Sequence, residues 1–150
     1  MSDPIIRAPT PADREVLLAL MDAYIVDFYR CPRPPAERVE ALVDLLAEGV
    51  DGTQLVAESA TGELVGFATL YFTWSTLSAD RIAILNDLYV SEAARGAGIA
   101  APLFGAALAL SKERGCTSME WQTANDNHRA QAFYAKMGGQ QGPWLSYSIP

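Results

Sequence analysis

Apolar residues recur along the chain with two different periods, and the alternation of those periods lays out the elements. Ile5 to Ala8 reads as a short strand, and Thr10, Pro11 and Asp13 follow as an N-terminal capping group for a helix. Val16, Leu17, Leu20, Met21, Tyr24, Ile25 and Phe28 then step by three or four residues, which places them on one helical face. Pro32, Pro34 and Pro35 break that helix, and a second one runs on to Gly49. Gln54 to Glu58 and Leu64 to Thr73 predict a β-hairpin joined by the turn-forming SATGE, and RIAILNDLYV (81–90) predicts a further strand. A helix over 101–115, a strand over TSMEWQT (117–123), a helix from Asn125 to Gly139 and a last strand, PWLSYSIP (143–150), complete the chain. The strands near the N-terminus should pair antiparallel, and the later strand–helix–strand unit should pair parallel with a right-handed crossover. The expectation is one α+β domain over residues 1–150 with a mixed, mostly antiparallel sheet.

Composition narrows the partners more than the fold. At 150 residues the chain is long enough to bury roughly 70% of its unfolded surface around one core. Half of its residues are hydrophobic and 19% charged, which fits a soluble globular protein, and no apolar run is long enough to span a bilayer. The first ten residues lack the basic region followed by an apolar one that a secretory leader requires, so the cytoplasm is expected. Cys31 and Cys116 are far apart and outside any CxxC pairing, so neither a metal site nor a disulfide framework is expected. A net charge of −7 argues against nucleic acid and fits a cationic or neutral partner.

The segment SEAARGAGIAA (91–101) carries the chemistry. It fails as a P-loop, because no lysine follows the glycines at the required spacing. Gly96, Gly98 and Ala101 do spell the dinucleotide pattern G-x-G-x-x-A, with Glu120 about 20 residues on. However, five residues separate Val90 from Gly96, whereas the dinucleotide turn follows its strand at once, and too few strands follow to build a doubly wound sheet.

Arg95 to Ala100, RGAGIA, also fits R-x-x-G-x-A and resembles the pyrophosphate-binding loop of the GNAT superfamily of acetyl-CoA-dependent N-acyltransferases. Helix-start amides and their partial positive charge converge on an anion there, and glycines let the backbone approach it. NHRAQAFYAKMGG resembles the superfamily's N-x-x-A-x-x-F-Y helix through Asn127, Ala130, Phe133 and Tyr134, and IIRAPTPADREVL resembles its opening strand and helix. Within the superfamily, FATLYFTWSTLSADRIAILNDLYV is similar to diamine and polyamine N-acetyltransferases.

The resemblance implies a GNAT-like α+β fold with splayed central parallel strands, acetyl-CoA as co-substrate, a small cationic primary amine as acceptor, and a homodimer with the C-terminal strand at the contact. It implies that Leu88, Tyr89 and Val90 meet the pantetheine arm through their backbone. Arg95, Gly96, Ala97, Gly98, Ile99 and Ala100 would hold the pyrophosphate, and Tyr134 would protonate the departing thiolate. Asn127 either caps its helix or touches the cofactor arm. Tyr29 and Trp74 are expected to wall the acceptor pocket. An alkylamine is only about one part in a few thousand neutral at pH 7, so a proton must leave it before attack. Asn86 occupies the place of the first acidic residue of the polyamine enzymes, a departure that leaves the base open, and Asp87 either orients a water, binds the substrate ammonium or pairs at the sheet's rim. Strand alternation would set Asn86 and Asp87 on opposite faces. His128, the only histidine, starts a helix and fits a capping or solvated role better than that of a base. A non-catalytic acyl-CoA-binding sensor is the competing reading.

Overall fold

The computed structural model describes residues 3–150. Five strands form one sheet in the order β1 (Ile5–Arg7), β2 (Gly52–Glu58), β3 (Leu64–Ser75), β4 (Asp80–Val90), β5 (Met119–Glu120). The first four pair antiparallel and β5 joins β4 in parallel, as the connection through α3 (Ala100–Glu113) demands. A mostly antiparallel order of this kind is not that of a doubly wound dinucleotide fold.

Both faces of the sheet are covered, because each strand buries side chains alternately up and down. On one face Leu17, Leu20 and Met21 of α1 (Arg14–Asp22) and Val43 of α2 (Ala36–Glu48) pack on Val56, Phe67 and Tyr89. On the other, Leu103, Phe104 and Ala107 of α3 pack on Ala68, Leu70, Ala83 and Leu85. α4 (His128–Lys136) closes the end of this second layer through Phe133 and Tyr134. Burial of each such leucine or phenylalanine contributes about 2 kcal/mol, and this is what fixes the layers. Among the described residues no helix is long and apolar enough to cross a membrane. Arg7 locks the chain's first turn to the sheet, donating to Asp13 at 2.6 Å and to Glu58 at 3.0 Å.

Three local departures from the sequence expectation matter for the site. The first helix does not stay α-helical to Phe28. Residues Ala23–Phe28 form a π-helical turn, with the Tyr29 amide donating to the Tyr24 carbonyl at 3.1 Å, and such turns wind more residues into one circuit. β5 is far shorter than the expected 117–123, since only Met119 and Glu120 find ladder partners, in Ala83 and Ile84. The expected last strand, 143–150, is absent: the segment has no ladder, and Trp144, Leu145, Tyr147 and Ile149 are 78 to 99% exposed. Its alternating pattern suits a strand, but a strand exists only where another edge accepts its hydrogen bonds. Here one side-chain bond, from Gln122 to Ser146 at 2.6 Å, holds it beside β5.

Candidate active site

The shortness of β5 opens the site. β4 runs on to Val90 after β5 has ended, so its outer edge from Leu85 onward has no ladder partner, and the two parallel strands splay as expected. A cavity of about 110 Å³ occupies the opening. Its walls are Leu85, Asn86 and Leu88 of β4, and Gln122 and Thr123 beyond β5. Tyr24, Phe28 and Tyr29 close it from the π-turn, and Asn127, Ala130 and Tyr134 close it from α4.

The glycine loop lies beyond the β4 end of this opening. Residues 95–98 are exposed while Ile99, 6% exposed, anchors the loop in the core. Gly96 and Gly98 adopt φ of 83° and 76°, a left-handed conformation that side chains resist, and no heavy atom lies within 4 Å of where a Cβ would sit on either. Internal packing therefore does not require these glycines. What they preserve is a curled backbone with open space in front of it, running into α3, whose Ile99 N-cap provides no side-chain acceptor for the first-turn amides. A loop of this form fits the pyrophosphate of acetyl-CoA. The Arg95 side chain donates to the Val90 carbonyl at 3.0 Å and lies over the rings of Phe28 and Tyr89, so it ties the loop to the π-turn.

Asn86 and Asp87 do not point to opposite faces. The β3–β4 register pairs Leu70 with Leu85 and Thr69 with Asp87, leaving Asn86 as the extra residue of a β-bulge. The bulge brings the two side chains together, with Asn86 Nδ2 donating to Asp87 Oδ1 at 3.0 Å. Asn86 is exposed to the cavity, whereas Asp87 sits behind it, outside the lining. Burial raises the Asp87 carboxyl above its ordinary value, partly offset by the Thr69 and Tyr24 hydroxyls and the Asn86 amide that face it. Tyr24 in turn is held well above the ordinary tyrosine value by burial and by the neighbouring Asp87 charge.

Tyr134 stands in a cluster with Trp121, Phe104 and Phe133, at centroid distances of 5.2, 6.1 and 5.4 Å. Burial raises its hydroxyl above the ordinary value, which keeps it a proton donor well into the alkaline range. Asn127 caps α4, its Oδ1 accepting from the Ala130 amide at 3.1 Å, and it also lines the cavity. His128 is the exposed first residue of α4.

Of the residues singled out from sequence, the cavity gathers Tyr29, Asn86, Leu88, Asn127 and Tyr134. Trp74 is corrected: five residues along β3 from Thr69 and on the opposite face, it lies 71% exposed under the Arg81 guanidinium, away from the cavity. Tyr89 turns its ring into the core among Phe67 and Tyr24, which leaves only its backbone for the opening. Tyr24, Gln122 and Thr123 were not singled out. Tyr24 looked like one more member of an apolar helical stripe, and its polar tip was the available signal.

Comparison with known proteins shows the family and the fold. Residues 17–139 match the family described as the Acetyltransferase (GNAT) family. The uncharacterized N-acetyltransferase YhfO of Bacillus subtilis (strain 168) is 32% identical over 136 residues, covering 91% of this chain and 89% of that protein. The D-amino-acid N-acetyltransferase HPA3 of Saccharomyces cerevisiae is 29% identical over 138 residues, covering 89% and 83%. Among solved structures, AAC(6')-Iy in complex with the bisubstrate analogue CoA-S-monomethyl-acetylneamine superposes with a TM-score of 0.85 at 18% identity, covering 99% of each chain, which speaks to the fold. With a glycine loop shaped for an anion, two splayed parallel strands and a family match across most of its length, the chain belongs to the GNAT family of N-acetyltransferases.

Proposed function

We propose that the protein transfers an acetyl group from acetyl-CoA to a small cationic primary amine of the diamine or polyamine type, by direct attack within a ternary complex. The observation that carries this reading is the placement of Asn86 and Tyr134 in the walls of one cavity where β4 parts from β5.

Bound acetyl-CoA supplies a thioester carbonyl open to attack by a neutral amine. The residues of Gly96 to Ala100 hold the phosphates, and the free edge of β4 at Leu88 to Val90 offers the pantetheine arm backbone partners. Tyr134 donates its proton to the departing sulfur, a role suited to a hydroxyl kept protonated by burial. An amide cannot act as a base at neutral pH, so Asn86 holds a water through its carbonyl oxygen and the water takes the amine's proton. Tyr29 walls the acceptor side. Asp87, one residue behind the wall, adds a negative charge that favours an ammonium in the cavity, where low dielectric strengthens the attraction. The net charge of −7 acts in the same sense at longer range.

The test is thiol release from acetyl-CoA with a panel of 1,3-diaminopropane, spermidine, a D-amino acid, neamine and a peptide N-terminus. We expect the diamine or spermidine to give a kcat/KM at least about tenfold above the D-amino acid, the ratio that one additional charge contact supplies. A D-amino acid or neamine as the best acceptor would overturn the acceptor class. The reading includes a homodimer formed through the exposed segment from Trp144 to Ile149, whose alternating apolar residues pair with none of the described strands. Sedimentation of the full chain at monomer mass across micromolar concentrations would exclude it.

A further inference from the structure

A polar ladder crosses three adjacent strands and ends at the cavity. Gln54 on β2 is the cross-strand partner of Thr69 on β3, and Thr69 is the partner of Asp87 on β4. Directly paired residues point to the same face, so the three side chains stand in a row. Gln54 Nε2 donates to Thr69 Oγ1 at 3.2 Å and also reaches Met21 Sδ at 3.6 Å. Gln54 and Thr69 are 3% and 1% exposed, beside Val56 and Phe67 that fill the same face with carbon. A leucine and a valine would fill their places without desolvating polar groups, so shape alone does not call for this pair.

The direction of the hydrogen bonds gives the pair a task. A threonine hydroxyl has a single hydrogen. With Gln54 donating to its oxygen, that hydrogen is free for Asp87, which it faces. A carboxylate only accepts, so polar neighbours can meet Asp87 only as donors: the Asn86 amide bonds its Oδ1 at 3.0 Å, and the Thr69 and Tyr24 hydroxyls face it. Tyr24 and Asn86 both line the cavity. With its one hydrogen turned toward Asp87, the Tyr24 hydroxyl has only lone pairs left for the cavity, and with one of its two amide hydrogens so engaged, Asn86 keeps its Oδ1 as an acceptor.

We propose that Gln54 and Thr69 are positioning residues, a buried ladder that fixes the Asp87 carboxylate so that Asn86 and Tyr24 present acceptor oxygens to an amine. The ladder selects a donor-rich acceptor substrate and disfavours one that brings a carboxylate to this wall. It rests on the amine-acetylating reading above and adds the reason for its selectivity.

The test is the paired variant Gln54→Leu/Thr69→Val, which removes both partners of the Gln54–Thr69 bond together and takes from Asp87 only the Thr69 donor, with Thr69→Ser as the conservative control. The first readout is the carboxyl titration of Asp87 followed by NMR in protein carrying carbon-13 aspartate. The titratable groups facing it are Tyr24 from the π-turn and Tyr71 from β3. Loss of the Thr69 donor, which favours the charged form, should move the midpoint up in the paired variant and leave it in place in Thr69→Ser. An unchanged midpoint in the paired variant overturns the ladder. The second readout is kinetic: the KM for spermidine should rise about tenfold while the KM for acetyl-CoA stays within about twofold, the loss expected of one charge-assisted contact. Parallel changes in both KM values, or the same loss in Thr69→Ser, overturn it in favour of a packing role. Should the paired variant fail to fold, Thr69→Val alone is read against Thr69→Ser by the same two measures. The titration requires no acceptor, so a protein inactive on every amine refutes the amine reading while the midpoint still judges the ladder.

Discussion

In the proposed reading, the donor side of the cavity, which takes acetyl-CoA, and the acceptor side, which takes the amine, are built by different means. On the donor side the parts are backbone: the curled loop of Gly96 and Gly98, the start of α3 and the free edge of β4, all within the stretch from residue 85 to residue 100. On the acceptor side the parts are side chains brought from distant places, Tyr24 and Tyr29 from the π-turn, Asn86 and Asp87 from a bulge, Gln54 and Thr69 from two other strands, and Tyr134 from α4. A phosphate asks only for amides and space, which any sequence able to adopt the loop supplies. An acceptor amine must be told from other amines, and that requires particular side-chain atoms at fixed distances.

The largest break in this comparison should come from Tyr134, which lines the cavity with the acceptor-side residues and in the proposed reading protonates the departing sulfur of the donor. Tyr134→Phe keeps the ring in its aromatic cluster and deletes only the hydroxyl. We expect kcat to fall about 100-fold, the usual contribution of a positioned acid, with the Kd for acetyl-CoA from calorimetry unchanged. An undiminished kcat would remove Tyr134 as the acid.

A smaller effect, confined to the donor side, should follow from Gly98→Val. Since no atom lies within 4 Å of the position of its Cβ, the Cβ itself meets nothing in the protein, and the backbone cost is the left-handed φ of 76°. A β-branched residue resists that conformation by about 1–2 kcal/mol and fills the space before the amides. The KM for acetyl-CoA should rise about 30-fold while that for the amine stays put. If the amine KM rises equally, the two sides are not separable in the way their construction suggests.

The smallest effect should appear where neither side is touched. Asp13 bonds Arg7, the Thr10 amide and the Thr10 hydroxyl, and the guanidinium above all holds its carboxyl well below the ordinary value. A lowered carboxyl stabilises the fold most when it is charged in both folded and unfolded chains. Its contribution is therefore complete at neutral pH and fades as the pH falls below about 4, the unfolded value, toward the lower folded one. Asp13→Asn should cost about 1 kcal/mol at pH 7, less at pH 3, and leave both KM values unaltered. A change in either KM would show that the first turn reaches the site.

The fold was largely legible because its signals are local. Capping residues, proline breaks and the two hydrophobic periods marked four helices and the hairpin before any contact was known. The misreadings share one cause, that a strand is not a property of its own residues. The segment from Trp144 to Ile149 alternates well and still forms no ladder with any described strand, and TSMEWQT keeps only two ladder residues because β4 and β5 diverge. The same divergence makes the cavity, so one error of reading and the opening of the site have a common origin.

The loop at Arg95 to Ala100 and the helix from Asn127 to Tyr134 pointed to the family, since contiguous residues set their own backbone and the spacing of a motif survives without tertiary information. Nothing in NDLYV foretold the bulge that turns Asn86 toward Asp87, because a bulge exists only relative to the register of a neighbouring strand. Nor did local spacing separate Trp74 from Tyr24, two aromatic residues of equal standing along the chain that the sheet and the π-turn send to opposite fates. Backbone chemistry travels with short range in the chain, whereas the choice of acceptor depends on side chains that only the packed sheet brings within reach of one another.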